Sequence, residues 1–112
     1  MSITSDLIRG HTDTIILAGL IEKDSYGYEI NKSIRQRTGD NYELKEATLY
    51  TAFRRLEQAG CIVSYWGDEL TGARRRYYKI TDKGRETYKE LVKDWTAAKD
   101  MIDKLIETED KK

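Results

Sequence analysis

Two hydrophobic rhythms run along this chain, and their order predicts its elements. Over residues 5–23 the pattern is helical. Its second half (Ile15, Ile16, Leu17, Ala18, Leu20 and Ile21) is apolar on nearly every side, which predicts burial between two partners. Ser5 or Thr4 is the expected N-cap, and Asp6 falls in the favourable first turn. Asp24 and Ser25 break the run. Tyr26, Ile30 and Ile34 then recur at helical spacing until Thr38-Gly39-Asp40-Asn41 stops them. A third helix is predicted from Lys45 or Glu46 to Gly60, with Leu49, Phe53 and Leu56 as its inner stripe and Gly60 as the left-handed cap. After it the rhythm changes. Residues 61–66 and 74–80 read as strands joined by a loop over residues 67–72, and Thr81 caps a long final helix.

The order helix, helix, helix, strand, loop, strand, long helix predicts a mostly α architecture with a β-hairpin wing, an α+β winged helix-turn-helix. Residues 1–80 would form the DNA-binding domain with its N-terminal helix. Residues 81–112 would form a C-terminal dimerisation helix of the same structural unit. No proline, low-complexity tract or internal repeat marks a linker.

Projection of the third helix at 100° per residue places Ala47, Thr51, Arg54 and Gln58 opposite the inner stripe, with Tyr50 and Arg55 on its flanks. Small residues near the start and hydrogen-bonding groups beyond suit a helix that enters the major groove. Arg54 suits either a two-pronged guanine contact or a phosphate. Alone, Arg54 and Arg55 are equally ordinary surface charges; the hairpin adds the context. Arg74, Arg75 and Arg76 follow a glycine-containing loop, and strand alternation sends Arg74 and Arg76 to one face and Arg75 to the other. One face must cover the core, so the residues nearest the loop are expected beyond it. There they would contact phosphates or the minor groove, or would form a solvated edge that blocks aggregation.

Composition changes this picture little. Twenty Lys and Arg balance twenty Asp and Glu among 112 residues, yet from residue 72 to 80 every charge is positive, so the field is local. Cys61 stands alone, which excludes an internal disulfide and suits a reducing cytosol; beside Ile62 and Val63 it reads as a small buried hydrophobe. The first residues lack the pattern of a signal peptide, and the longest apolar run, residues 15–21, is far short of a membrane span. A cytoplasmic protein without a membrane partner is expected. His11 is the only histidine, and no metal-ligand spacing, phosphate-binding loop or nucleophile–base pair is present. The chain therefore does not read as an enzyme, and no cofactor or metal is expected.

The final helix carries Tyr88, Leu91, Trp95, Ala98, Ile102 and Leu105 at alternating spacings of three and four, broadened by Val92, Met101 and Ile106. A single small domain has too little core to cover so long a seam, so a second copy is the expected cover and the chain is expected to be a homodimer. Two readings of Trp95 stand side by side: an aromatic anchor that fills the interface, or one wall of a slot for a planar aromatic small molecule near the dyad. Ile8, Thr12 and Ile15 of the first helix are candidate walls of the same slot.

The chain resembles the PadR family of bacterial transcriptional regulators. The resemblance is carried by Tyr26-Gly27-Tyr28-Glu29-Ile30, Glu46-Ala47-Thr48-Leu49-Tyr50, Arg54-Arg55-Leu56-Glu57 and Gly60, followed by Ser64-Tyr65-Trp66-Gly67-Asp68-Glu69, Gly72-Ala73-Arg74-Arg75-Arg76-Tyr77-Tyr78 and Ile80-Thr81-Asp82-Lys83-Gly84. The single final helix is similar to the short subgroup that includes a multidrug-binding repressor, which has a tryptophan matching Trp95. The resemblance implies a dimer, a double-stranded operator with an inverted repeat, and repression of a transporter or detoxification gene relieved by a small molecule. It also implies that Tyr26, Lys45, Thr48, Tyr50, Thr51 and the wing arginines lie at or near DNA; Tyr28 is left as either a core or a phosphate-contacting residue. The competing function is a winged-helix module that binds protein partners without sequence-specific DNA binding.

Overall fold

Burial organises the chain around its first long helix. In a computed structural model that describes residues 6–67 and 74–108, the elements are α1 (Thr12–Glu22), α2 (Gly27–Arg37), α3 (Glu46–Gln58), β1 (Ile62–Gly67), β2 (Arg75–Ile80) and α4 (Asp82–Ile106). Ile16, Leu17 and Leu20 of α1 are withdrawn from solvent, and α1 touches α2, α3, β2 and α4. This explains why its apolar residues leave no polar face. Ile30 and Ile34 of α2, Leu49, Ala52, Phe53 and Leu56 of α3, and Ile62, Tyr78 and Ile80 of the hairpin complete one core. Phe53 lies at its centre, stacked on Tyr78 with ring centroids 3.9 Å apart.

The expectation of one continuous helix over residues 5–23 is corrected. Residues 6–8 are helical, Arg9–His11 forms a 3-10 turn, and α1 starts at Thr12. Gly10 weakens the α-helix there, His11 leaves helical geometry at φ −112° and ψ 14°, and the Thr12 hydroxyl donates to the Arg9 carbonyl at 3.2 Å. The proposed caps Thr4 and Ser5 lie outside the described residues, as does the loop expected over residues 67–72 except for Gly67, which ends β1 instead.

The strands pair antiparallel in the register Ile62↔Ile80, Ser64↔Tyr78 and Trp66↔Arg76. Each begins one residue later than the sequence pattern suggests. At Cys61 the cause is local: its N–H closes α3 by donating to Leu56 O at 2.9 Å, and its carbonyl accepts from Thr81 N at 3.0 Å. Gly60 holds φ +80° at that closure, the left-handed geometry expected of it. Cys61 is buried. Ser25 exchanges two backbone hydrogen bonds with Tyr78, at 3.2 and 2.8 Å, so the α1–α2 link is stitched to the wing.

Thr81 caps α4 as its position predicts: its hydroxyl accepts from Gly84 N at 3.0 Å and donates to Gly60 O at 2.7 Å. Gly84 lets α4 press on the preceding turn. A Cβ there would collide with the Cys61 carbonyl oxygen and lie 2.7 Å from Ile80 Cγ1. Tyr88 and Leu91 pack on the chain's own core. Beyond them α4 leaves the domain, and Met101, Ile102, Leu105 and Ile106 are exposed. The molecule is accordingly elongated, 65 × 30 × 21 Å.

A candidate nucleic-acid interface

The α2–turn–α3 unit is held by two devices. The Asn31 side chain clasps Leu44, donating from Nδ2 to the carbonyl and accepting the N–H at Oδ1, both at 2.9 Å. This fixes the segment that leads into α3. At the other end, a Cβ on Gly27 would collide with the Tyr50 hydroxyl and lie 3.3 Å from Leu49 Cδ2. A side chain at position 27 would therefore displace the Tyr50 ring from the start of α2.

With its inner stripe buried, α3 turns Ala47, Thr48, Thr51, Arg54 and Gln58 to solvent. Lys45, the residue before the helix, is also exposed. Arg54 makes no ion pair among the described residues, whereas Arg55 is held by Asp13 of α1. That contact raises the Arg55 pKa further, chiefly through the hydrogen bond to Asp13, and makes Arg55 a strut between helices. Tyr50 is partly exposed and meets Phe53 edge-on at 5.5 Å, so it is half core and half surface.

The wing arginines lie on aromatic rings. Arg74 is 5.3 Å from the Trp66 centroid, Arg75 is 4.8 Å from Tyr26, and Arg76 is 5.7 Å from Tyr78. Arg76 also reaches Glu57 Oε1 at 3.5 Å, while Glu57 Oε2 accepts from the Ser64 hydroxyl at 2.9 Å. A guanidinium on a ring face keeps in-plane N–H donors, so stacking orders the group without consuming its capacity for phosphate. The alternation expected of β2 holds: Tyr78 and Ile80 are buried, and on the same face Arg74 and Arg76 extend past the core into solvent.

Tyrosines join the wing to α2. Tyr65 stacks on Tyr77 at 5.6 Å, Tyr77 meets Tyr26 edge-on at 5.3 Å, and Tyr26 stacks on Tyr28 at 6.5 Å. Arg35 lies 5.8 Å over Tyr28. The Tyr65 hydroxyl donates to Asp24 Oδ2 at 2.6 Å, and this bond raises its pKa from 10.0 to about 12. Tyr26, Tyr50 and Arg75 thus meet at the start of α2, where Arg75 lies on Tyr26 and Tyr50 approaches Gly27. Thr48 and Thr51 lie toward α1, lining a cleft with Arg9, Asp13 and Arg55. Sequence reasoning left Tyr28 undecided and passed over Trp66; the structure makes both prominent, at 61% and 57% exposure. The signal available for Trp66 was its place on the same face of β1 as the buried Ile62, at the open end of the strand.

The residues proposed for a ligand slot are dispersed. Ile8 and Ile15 face a cleft between α1 and α2, Thr12 is buried and borders the α1–α3 cleft, and Trp95 lines neither. Trp95 instead meets His11 edge-on at 4.7 Å and remains 41% exposed. Among the described residues no group of His, Cys, Asp or Glu has a metal-binding arrangement, and no helix is long and apolar enough to cross a membrane.

A winged helix-turn-helix with an exposed helix face beside ordered arginines defines a DNA-binding regulator class, and comparison with known proteins supports that class. Residues 16–90 match the transcriptional regulator PadR-like family. A transcriptional regulator from Clostridium thermocellum superposes with a TM-score of 0.83 at 52% identity, covering 91% of this chain and 99% of its own. A PadR family regulator from Clostridium difficile R20291 gives 0.76 at 35% identity, with 87% and 99% covered. One from Eggerthella lenta gives 0.84 at 31% identity, with 96% and 92% covered. A relative in Lysinibacillus sphaericus described as an uncharacterized protein is 49% identical over 105 residues, 94% of this chain and 96% of its own length.

The chain belongs to the PadR-like family. It is a transcriptional regulator and not an enzyme.

Proposed function

We propose that this chain is a repressor that binds an inverted-repeat operator as a homodimer and is released by a planar aromatic molecule. The observation that carries the DNA reading is the pairing of an exposed α3 face with wing arginines already ordered on Trp66, Tyr26 and Tyr78. In this reading Thr48, Thr51 and Arg54 enter the major groove. Lys45, Tyr26, Tyr50 and Arg74, Arg75 and Arg76 hold the flanking backbone. The dimer is supported by the apolar end of α4, where Met101, Ile102, Leu105 and Ile106 are exposed and Trp95 is covered only in part by His11. Tyr88 and Leu91 serve the chain's own core, so the seam proposed for the partner starts at Trp95 and runs through Ala98, Ile102 and Leu105. The ligand slot is proposed at the dyad, with Trp95 and His11 of each subunit as its walls.

Titration of the promoter upstream of the protein's own gene at two salt concentrations tests the DNA reading. Selective binding that weakens steeply with salt is expected. Arg54→Ala should cost about 1–3 kcal/mol and relax selectivity at one base pair. Arg76→Ala should weaken all sequences alike and flatten the salt slope by roughly one phosphate. Binding that ignores both sequence and salt would instead favour a protein-interaction module. For the slot, Trp95→Ala is expected to abolish fluorescence quenching by planar dyes while the dimer persists; unchanged dye affinity would remove the slot.

A further inference from the structure

Two contacts from different helices meet at the start of α1. Trp95 of α4 packs edge-on against His11, with ring centroids 4.7 Å apart. Two residues further on, Asp13 holds Arg55 of α3 with both carboxylate oxygens: one accepts from Nη2, the other from Nε at 3.4 Å. An exposed ion pair adds little to stability, but a two-pronged hold fixes the direction of a guanidinium as well as its distance. Arg55 also stands on a particular stripe of α3. It lies one turn past Thr51 and two past Thr48, and all three line one cleft with Asp13.

The segment that joins the two contacts is a joint. Arg9–His11 has 3-10 geometry between helical residues 6–8 and α1, and such a stretch within a helical run is a common site of hinging. A Cβ on Gly10 would meet no described atom within 4 Å, so the turn has space to change. The His11 side chain makes no capping hydrogen bond to α1, which leaves its ring to the Trp95 contact.

We infer that the Asp13–Arg55 link relays the state of the Trp95–His11 contact to α3, which makes Asp13 a positioning residue for the helix face proposed to read DNA. Coupling between sites that do not touch requires an element that both of them bias; here it is the turn at the start of α1. A change at Trp95 moves His11, and His11 carries the first turn of α1 with it. Asp13 lies in that turn and re-aims the Thr48–Thr51–Arg55 stripe through its hold on Arg55. The relay runs within one subunit and needs no change in the spacing between two. Only its consequence for an operator rests on the DNA reading.

Methyl NMR of the full chain with labelled threonine tests the relay in the absence of DNA, because neither Trp95 nor His11 lines the cleft that holds Thr48 and Thr51. His11→Ala removes the ring contact without altering the α4 seam, and should shift both methyl signals in the parent. Arg55→Lys keeps the charge and loses the two-pronged hold. In that background the same His11→Ala change should shift them no more than about one third as far, the non-additivity of coupled sites. Asp13→Asn should blunt the response equally, and thermal melting verifies that each variant is folded. Equal shifts in all backgrounds would overturn the relay and assign the signal to Leu91, which lines the same cleft from α4; no shift in the parent would overturn it as well. Titration with operator and random DNA reads the consequence. Asp13→Asn should lower the ratio of the two affinities roughly threefold or more, even though loss of a negative charge favours all DNA. An unchanged ratio in a chain that selects its operator would remove the positioning role. Coupled methyl shifts in a chain that selects no operator would support the relay and refute the DNA reading instead.

Discussion

Single side chains set the angle between the wing and the helix-turn-helix. Tyr65, Tyr77 and Tyr26 form a continuous path of rings, and the Tyr65–Asp24 hydrogen bond secures its outer end. That bond has a pH signature. Because the hydroxyl pKa is raised from 10.0 to about 12, the folded protein keeps a proton that the unfolded chain releases near pH 10. The contribution to stability is therefore complete below pH 10 and is lost as pH rises from 10 toward 12. Melting temperature measured from pH 9 to 11.5 should fall less steeply in Tyr65→Phe than in the parent; parallel curves would mean that the bond carries no linkage. These contacts were hidden in the sequence. Periodicity reports which face of its own element a residue occupies, and it is silent on which residue of another element it meets. The same blindness concealed Asp13 as the partner of Arg55 across 42 positions. The buried stripe of α3 was readable, because burial on one face is what a period of 3.6 records. At its centre, Phe53→Ala should cost about 3–5 kcal/mol by denaturant unfolding.

Boundaries between elements follow local chemistry, and most were readable for that reason. Thr81 and Gly60 satisfy orphan helix groups by rules that depend only on neighbouring residues, and the structure places both as those rules require. The 3-10 turn at Arg9–His11 was not readable. Gly10 alone is a weak signal, and the geometry rests on the Thr12–Arg9 bond. Gly84 was read only as part of a family motif, yet it bears a close approach between α4 and the turn at Cys61 that admits no side chain without a shift. Gly84→Ala must move the Cys61 carbonyl or the start of α4, and should destabilise by about 1–3 kcal/mol, read as a lower melting temperature. Its effect should extend to DNA affinity if the wing and α4 shift together. A variant that melts like the parent would show that the junction yields without cost.

The outline of the protein follows from α4. A helix of 25 residues spans roughly 37 Å, more than the winged domain can cover, and its uncovered end includes Leu105 at 75% exposure. The heptad spacing made this seam visible, but it could not tell which positions face the chain's own core. Tyr88 and Leu91 do, because the chain's own contacts reach along the first half of the helix, as far as Trp95 against His11. Leu105→Asp should therefore leave the fold intact while raising the dimer dissociation constant by an order of magnitude or more, measured by sedimentation. A variant as dimeric as the parent would move the interface elsewhere.

The two tryptophans stand in different regions, Trp66 under Arg74 on the wing and Trp95 beside His11 on α4. The protein thus carries two natural fluorophores with separate addresses. With Trp95→Phe, emission reports events at the wing alone; with Trp66→Phe, it reports events along α4 alone. Recorded together during release from an operator, the two signals would give the order of events, and so distinguish an inducer that acts first at the subunit contact from one that competes directly for the nucleic-acid surface.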